Sequence, residues 1–157
     1  MNLRELSVAT FNLYNLNEPG LKVYMDWQGW SQAEYDLKIA WIARQLQFLE
    51  ADVFGFQELW HGDSLARAVR AAGLAESHDI LVPPDAKGGR IVSAAIVRRG
   101  LLVGEPEWIG AFPEKFILRS RGGDAQTPEI GVEVNGFSRP ILHFRIKPRE
   151  QEAAIEV

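Results

Sequence analysis

The chain has 157 residues, 46% hydrophobic and 24% charged, with a formal net charge of -4, which suits one domain with its own core. Zero cysteines exclude disulfides and thiolate metal sites, and the acidic balance disfavours a nucleic-acid partner gripped over the whole surface. No apolar run is long enough to span a bilayer, and Met1 to Leu6 lacks the basic-then-apolar pattern of a secretory signal. A soluble, cytoplasmic protein with no membrane span is therefore expected.

Leu6 to Leu13 alternates larger apolar with small or polar residues, which predicts a strand with Asn12 at its far end. Asn15, Asn17, Pro19 and Gly20 mark a loop. Ser31 and Glu34 have capping-box spacing, and Tyr35, Ile39, Ile42, Leu46 and Leu49 then form one apolar stripe on a helix. After Asp52, the run Val53 to Phe56 fits a strand covered on both faces, and it ends abruptly in Gln57 and Glu58. Asp63 or Ser64 is expected to cap a second helix carrying Leu65, Val69 and Ala72, stopped by Gly73.

Beyond this the chain reads as β-rich. Ile80 to Val82 and Arg90 to Arg98 are predicted strands, and Leu101 to Val103 extends the same sheet. Gly110 to Pro128 reads as a mobile loop. Asn135-Gly136 signals a hairpin between Glu129 to Val134 and Phe137 to Lys147. In its second arm Leu142, Phe144 and Ile146 face the core, with His143, Arg145 and Lys147 on the other side. Ile155 to Val157 opens a further strand.

The first strand, the helix and the second strand make a β-α-β unit with parallel strands. Asn12 and Glu58 are thus expected to meet beyond a shared C-terminal edge, where ligands of α/β sheets bind. A carboxylate there can hold Mg²⁺, which needs only one or two carboxylates and keeps several waters. The plainer alternative is that Glu58 is a solvated residue or a helix-capping acid.

Val8-Ala9-Thr10-Phe11-Asn12-Leu13 resembles the opening motif of the endonuclease/exonuclease/phosphatase superfamily of metal-dependent phosphoesterases. Asp52-Val53-Phe54-Gly55-Phe56-Gln57-Glu58 resembles its second motif, and Lys38 to Leu49 the intervening helix. Phe137-Ser138-Arg139-Pro140-Ile141-Leu142 is similar to the Arg-Pro-apolar strand before the family's central catalytic strand. The resemblance covers most of the chain outside Gly100 to Pro128.

What the resemblance implies is an α/β fold: the N-terminal half of a two-sheet α/β sandwich with a mixed sheet and outer helices. Residues 1–157 would form one partial domain that stops before the family's later catalytic motifs. It implies Glu58 as the main ligand of Mg²⁺ (or Mn²⁺), with Asn12 beside the metal and the phosphate. It also implies a phosphoester substrate and a phosphate contact from Arg139, although an Arg before Pro at a strand start also serves structure. The family's His, Asp-x-Asn and Asp-His residues have no matching positions. His143 falls one hairpin too early to be that His and reads as a surface residue.

Arg139, His143, Arg145, Lys147 and Arg149 form a basic stripe that can track a phosphodiester, although such charge more commonly solvates a strand. His61, close after Glu58, reads as a loop residue. Three functions stay open at this point: a phosphoester hydrolase whose activity belongs to a longer parent, a non-catalytic fold piece or binding and oligomerisation module, and an unrelated β-α-β domain. Exposed apolar surface is expected to favour a homo-oligomer.

Overall fold

The computed structural model describes residues 6–25, 28–119, 131–147 and 154–157. The elements in chain order are β1 (Val8–Leu16), α1 (Gln32–Leu49), β2 (Val53–His61), α2 (Gly62–Ala71), β3 (His78–Leu81), β4 (Lys87–Arg98), β5 (Leu102–Arg119), β6 (Gly131–Ile146) and β7 (Ile155–Glu156). They form a mixed sheet ordered β1-β2-β4-β3 and a second sheet ordered β5-β6-β7. Among the described residues no helix is long and apolar enough to cross a membrane.

The capping box holds as expected. The Ser31 side chain accepts from the Glu34 backbone N–H, and the Glu34 carboxylate accepts from Ser31 N–H. Both orphan donors at the helix start are thereby satisfied. Tyr35, Ile39, Ile42 and Leu46 of the predicted stripe are buried, with Ala43 beside them. Leu49 is not: it is 44% exposed, because the helix ends there and Glu50 turns left-handed.

β1 and β2 are parallel, with Val8 paired to Val53 and Asn12 to Gln57. Leu13, Phe54, Phe56 and Leu59 join the buried faces of α1 and α2 in one core. The opposite face of the sheet gives Val53, Ala95 and Val97 to a second core, shared with Phe144 and Ile146 of the second sheet. Trp108 of β5 packs against that core, and its indole N–H donates to the Ser93 carbonyl of β4 at 2.9 Å. β2 is thus covered on both faces along Val53 to Phe56, which accounts for its unbroken apolar run.

Three expectations fail in the second half. Leu102 and Val103 open the second sheet and do not extend the first. Gly110 to Arg119 is strand, not mobile loop, because Phe116 to Arg119 pair backbone to backbone with Gly131 to Val134. The remainder of that expected loop, residues 120–128, lies outside the described residues. Asn135-Gly136 is no hairpin turn either: both flanks lie in the one strand β6, and both pair with the long strand β5.

The Asn-Gly signal is local, and an 18-residue partner strand overrides it. Gly136 instead sits where the β5–β6 register shifts, so close to β5 that a Cβ on it would lie 2.1 Å from the Gly110 carbonyl oxygen. Gly136→Ala must therefore push the strands apart. A loss of about 1–3 kcal/mol is expected on the scale of overpacking, read by urea unfolding, and an unchanged midpoint would refute the close approach. The alternation of β6 does hold: Phe144 and Ile146 are buried while Arg145 and Lys147 are exposed. The short strand expected at Ile155 pairs with β6.

Candidate functional site at the C-terminal edge of the parallel strands

Parallel pairing carries Asn12 and Glu58 to the same edge, because Asn12 is the register partner of the residue just before Glu58. Neither strand stops there, contrary to expectation. β1 continues to Leu16 and β2 to His61, and both are distorted at this point. Between the pairs Asn12–Gln57 and Leu16–Leu59, β1 spends four residues against two in β2. Between Phe56–Ala94 and Leu59–Val92, β2 in turn carries one extra residue relative to β4.

These are β-bulges, which re-aim side chains and recur beside active sites. Tyr14, Asn15 and Glu58 take left-handed backbone, with φ of 47°, 55° and 60°. Asn tolerates this conformation, but a bulky Tyr and a Glu do not adopt it without strain. The Asn12 side-chain oxygen accepts from the Tyr14 N–H at 2.7 Å, which steadies the turn. Gln57 Nε2 donates to Thr10 Oγ1 at 3.0 Å and ties the two strands just below.

Behind the edge, Asn15 is a buried hub. Its side-chain oxygen accepts from the Tyr24 hydroxyl and from the Trp60 indole N–H, both at 3.1 Å. Its backbone oxygen accepts from the Trp30 indole N–H at 2.8 Å. The Glu18 carboxylate accepts from the Tyr35 hydroxyl at 2.9 Å and the Ser64 hydroxyl at 2.6 Å, fixing the loop after β1 to both helices. Burial pushes the Tyr35 hydroxyl above its ordinary value.

Glu58 is half-buried, and among the described residues its carboxylate has no hydrogen-bond partner. The charge that faces it belongs to Lys38 of α1. Burial pulls the Lys38 ammonium below the usual lysine value, and the negative charge of Glu58 opposes that fall. Lys38 Nζ stands 5.2 Å from the centre of the Tyr14 ring and 4.7 Å from that of Trp30. Sequence reading missed Tyr14, Asn15, Trp30 and Lys38. Only the Asn-rich stretch after β1 hinted at unusual backbone there.

The other acid of the second motif has a different task. Asp52 opens β2 at the far edge, where its carboxylate accepts from the Ser7 N–H and hydroxyl and from the Arg98 guanidinium. Burial would raise the Asp52 carboxyl, but the Ser7 N–H, Arg98 and Ser7 hydroxyl bonds together outweigh it and hold it below the usual carboxylate range. Asp52 is a clasp on the strand start, remote in register from Asn12.

All three histidines are engaged elsewhere. His61, expected in a loop, is the N-cap of α2, its Nδ1 accepting from the Asp63 N–H; Asp63 and Ser64 lie inside that helix and do not cap it. His78 is buried between Ser77 and the Ala51 carbonyl. His143 bridges Glu107 of β5 at 2.8 Å and Glu156 of β7 at 2.6 Å on the outer face of the second sheet. Arg139 is exposed on β6, and no described contact joins it to Asn12 or Glu58.

Donation of its ring N–H groups to the Glu107 and Glu156 carboxylates raises the His143 pKa above the ordinary imidazole value. The imidazolium therefore helps hold β7 fully below that ordinary value, and the help is lost as pH rises through the raised one. Exchange protection of the Val157 and Phe144 amides, which bond to each other's carbonyls, is expected to fall with rising pH after correction for intrinsic exchange. His143→Gln should flatten that dependence.

Among the described residues no group of three or more His, Asp or Glu side chains converges on a metal-sized site. Among those residues the edge offers the Glu58 carboxylate and the Asn12 carboxamide. This set fits Mg²⁺ or Mn²⁺ holding several waters, and it does not fit a closed four-ligand zinc site.

No protein-family model matches the sequence, and a search of curated proteins gave no match. A search of solved structures matched the crystal structure of an endonuclease/exonuclease/phosphatase family protein from Bacteroides thetaiotaomicron, with a TM-score of 0.53 and 20% identity. The match covers 96% of this chain and 48% of that one, so the chain spans about half of its neighbour's length. At this identity the likeness is one of fold: two sheets with outer helices, arranged as in the corresponding half of an endonuclease/exonuclease/phosphatase family protein.

Proposed function

We propose that this chain carries part of the active site of a divalent-metal-dependent phosphoester hydrolase. Glu58 is the metal ligand, and Asn12 stands beside the metal and the substrate phosphate. The observation that supports this reading best is the convergence of both residues on one sheet edge whose backbone is strained at Tyr14, Asn15 and Glu58. Strain of this kind, of order 1–3 kcal/mol per residue, persists where function requires it. The name of the structural neighbour agrees in class.

A bound Mg²⁺ or Mn²⁺ would supply Lewis-acid stabilisation of charge developing on a phosphoryl oxygen. The chain's own part is to hold that ion at Glu58 and to orient the phosphate with the Asn12 amide nitrogen, whose oxygen is already committed to Tyr14. Activation of the attacking water needs a base, and His61, His78 and His143 are occupied in capping, packing and bridging. The 157 residues alone should therefore bind without turning over.

Titration with Mn²⁺ tests the assignment, because the paramagnetic ion broadens NMR signals close to it. Selective loss of the Asn12 to Asn15 and Gln57 to Leu59 amide signals is expected, with no hydrolysis of bis(p-nitrophenyl) phosphate. Broadening confined to other carboxylates would remove the site. Rapid turnover by this chain would show that a base has been overlooked.

A further inference from the structure

Lys38 is placed unlike an ordinary surface lysine. It lies in the second turn of α1, half-buried, on the side of the helix that meets the site edge. Its ammonium lies against two aromatic faces, Tyr14 and Trp30, whose ring centres are 6.2 Å apart. The Trp30 ring is anchored, while the Tyr14 ring is 65% exposed and only its backbone is held. The Trp30 indole bonds to the Asn15 carbonyl, and the Tyr14 backbone bonds to Asn12. Cation–π attraction holds an ammonium in such a cradle while leaving its N–H donors free to act.

Lys38 rests on these rings and not on Glu58. The two charges feel one another, yet they form no direct ion pair among the described residues. What remains is a carboxylate and a preset cation at one sheet edge, with Asn12 beside them. A phosphate has an oxygen for each: one for an ion on Glu58, another for the ammonium.

We propose that Lys38 is the anion-binding residue of this site and takes a non-bridging oxygen of the substrate phosphate, with Tyr14 and Trp30 as its positioning residues. The proposal rests on the phosphoester reading for its substrate, but not on Glu58 being the metal ligand. A charge-assisted hydrogen bond to phosphate changes affinity by about tenfold or more.

The experiment is a titration of the chain with inorganic phosphate, with and without Mg²⁺, followed by ³¹P and ¹H–¹⁵N NMR. In the unmutated chain, phosphate should shift the Trp30 indole and Tyr14 amide signals; shifts confined to other surfaces overturn the proposal without any variant being needed. Lys38→Met keeps the apolar stem and should weaken phosphate binding about tenfold, whereas Lys38→Arg should keep most of it. Equal affinity in Lys38→Met and the unmutated chain overturns the proposal. Loss of phosphate binding in Lys38→Met with no Mn²⁺ broadening near Glu58 supports Lys38 and sinks the metal assignment alone.

Discussion

Glu58→Gly is expected to leave a chain that no longer binds Mn²⁺ and yet is more stable than Glu58→Gln. Both substitutions remove the carboxylate, and with it the charge that opposes the half-buried Lys38 ammonium. That loss is common to both and cancels in the comparison. What differs is the backbone: Glu58 sits at φ 60°, where any side chain with a Cβ carries roughly 1–2 kcal/mol of strain and glycine carries none. Glycine's freer unfolded chain offsets part of the gain, leaving roughly 1 kcal/mol.

For metal affinity, a carboxylate proposed as the one acidic ligand among the described residues of the edge should be worth at least about a hundredfold when replaced by an amide, or about 3 kcal/mol. Urea unfolding and Mn²⁺ titration of the two variants check both halves together. A glycine that is more stable than glutamine at the position whose carboxylate carries the binding is the mark of a residue kept in a strained pose for its chemistry. Two results would break the argument: Mn²⁺ affinity surviving in Glu58→Gln, or no stability difference between Gln and Gly.

How far this edge could be read from residues alone has a physical explanation. Helix α1 was legible because its signals are local and agree: the Ser31–Glu34 box starts it, and the Tyr35–Leu46 spacing gives its buried face. The parallel pairing of β1 and β2 followed from the helix between them, because a crossover of that length leaves few alternatives. Placement of Asn12 and Glu58 at one edge therefore needed no long-range guess.

The second sheet was less legible because its register depends on partners far apart in sequence. Asn135-Gly136 is a strong turn signal, and only the length of β5 tells that the chain runs straight through it. The bulges at Tyr14–Asn15 and Glu58 were hidden for a similar reason. A Tyr or Glu in left-handed backbone breaks the usual residue preference, so composition points away from the feature. Lys38 was hidden differently, since nothing in a helical stripe says which polar neighbour will lie against two rings, one from the distorted end of β1 and one from the segment before the helix.

Asn15→Ala is expected to be among the most damaging single changes at this edge, for two separable reasons. The Asn15 side-chain oxygen is the acceptor for both Trp60 and Tyr24. Trp60 is 7% exposed, so its indole N–H would be left buried and unpaired, a loss of about 1–3 kcal/mol. Alanine at φ 55° adds strain of roughly 1 kcal/mol that Asn, a tolerant left-handed residue, mostly avoids. The sum is about 2–4 kcal/mol.

The same change should reach the site through the backbone. If the substituted alanine relaxes toward ordinary backbone angles, the carbonyl that anchors the Trp30 indole turns away. Trp30 then loosens and Lys38 loses one wall of its cradle. Two companion variants separate the causes. Asn15→Gly keeps the left-handed backbone but deletes the acceptor, so it should lose stability while retaining phosphate affinity. Asn15→Asp keeps acceptor and backbone alike and should lose least. Urea unfolding followed by tryptophan fluorescence should rank the losses as Ala, then Gly, then Asp, with weakened phosphate binding only in Ala. Equal phosphate affinity in Ala and Gly would mean that the Trp30 anchor does not govern Lys38.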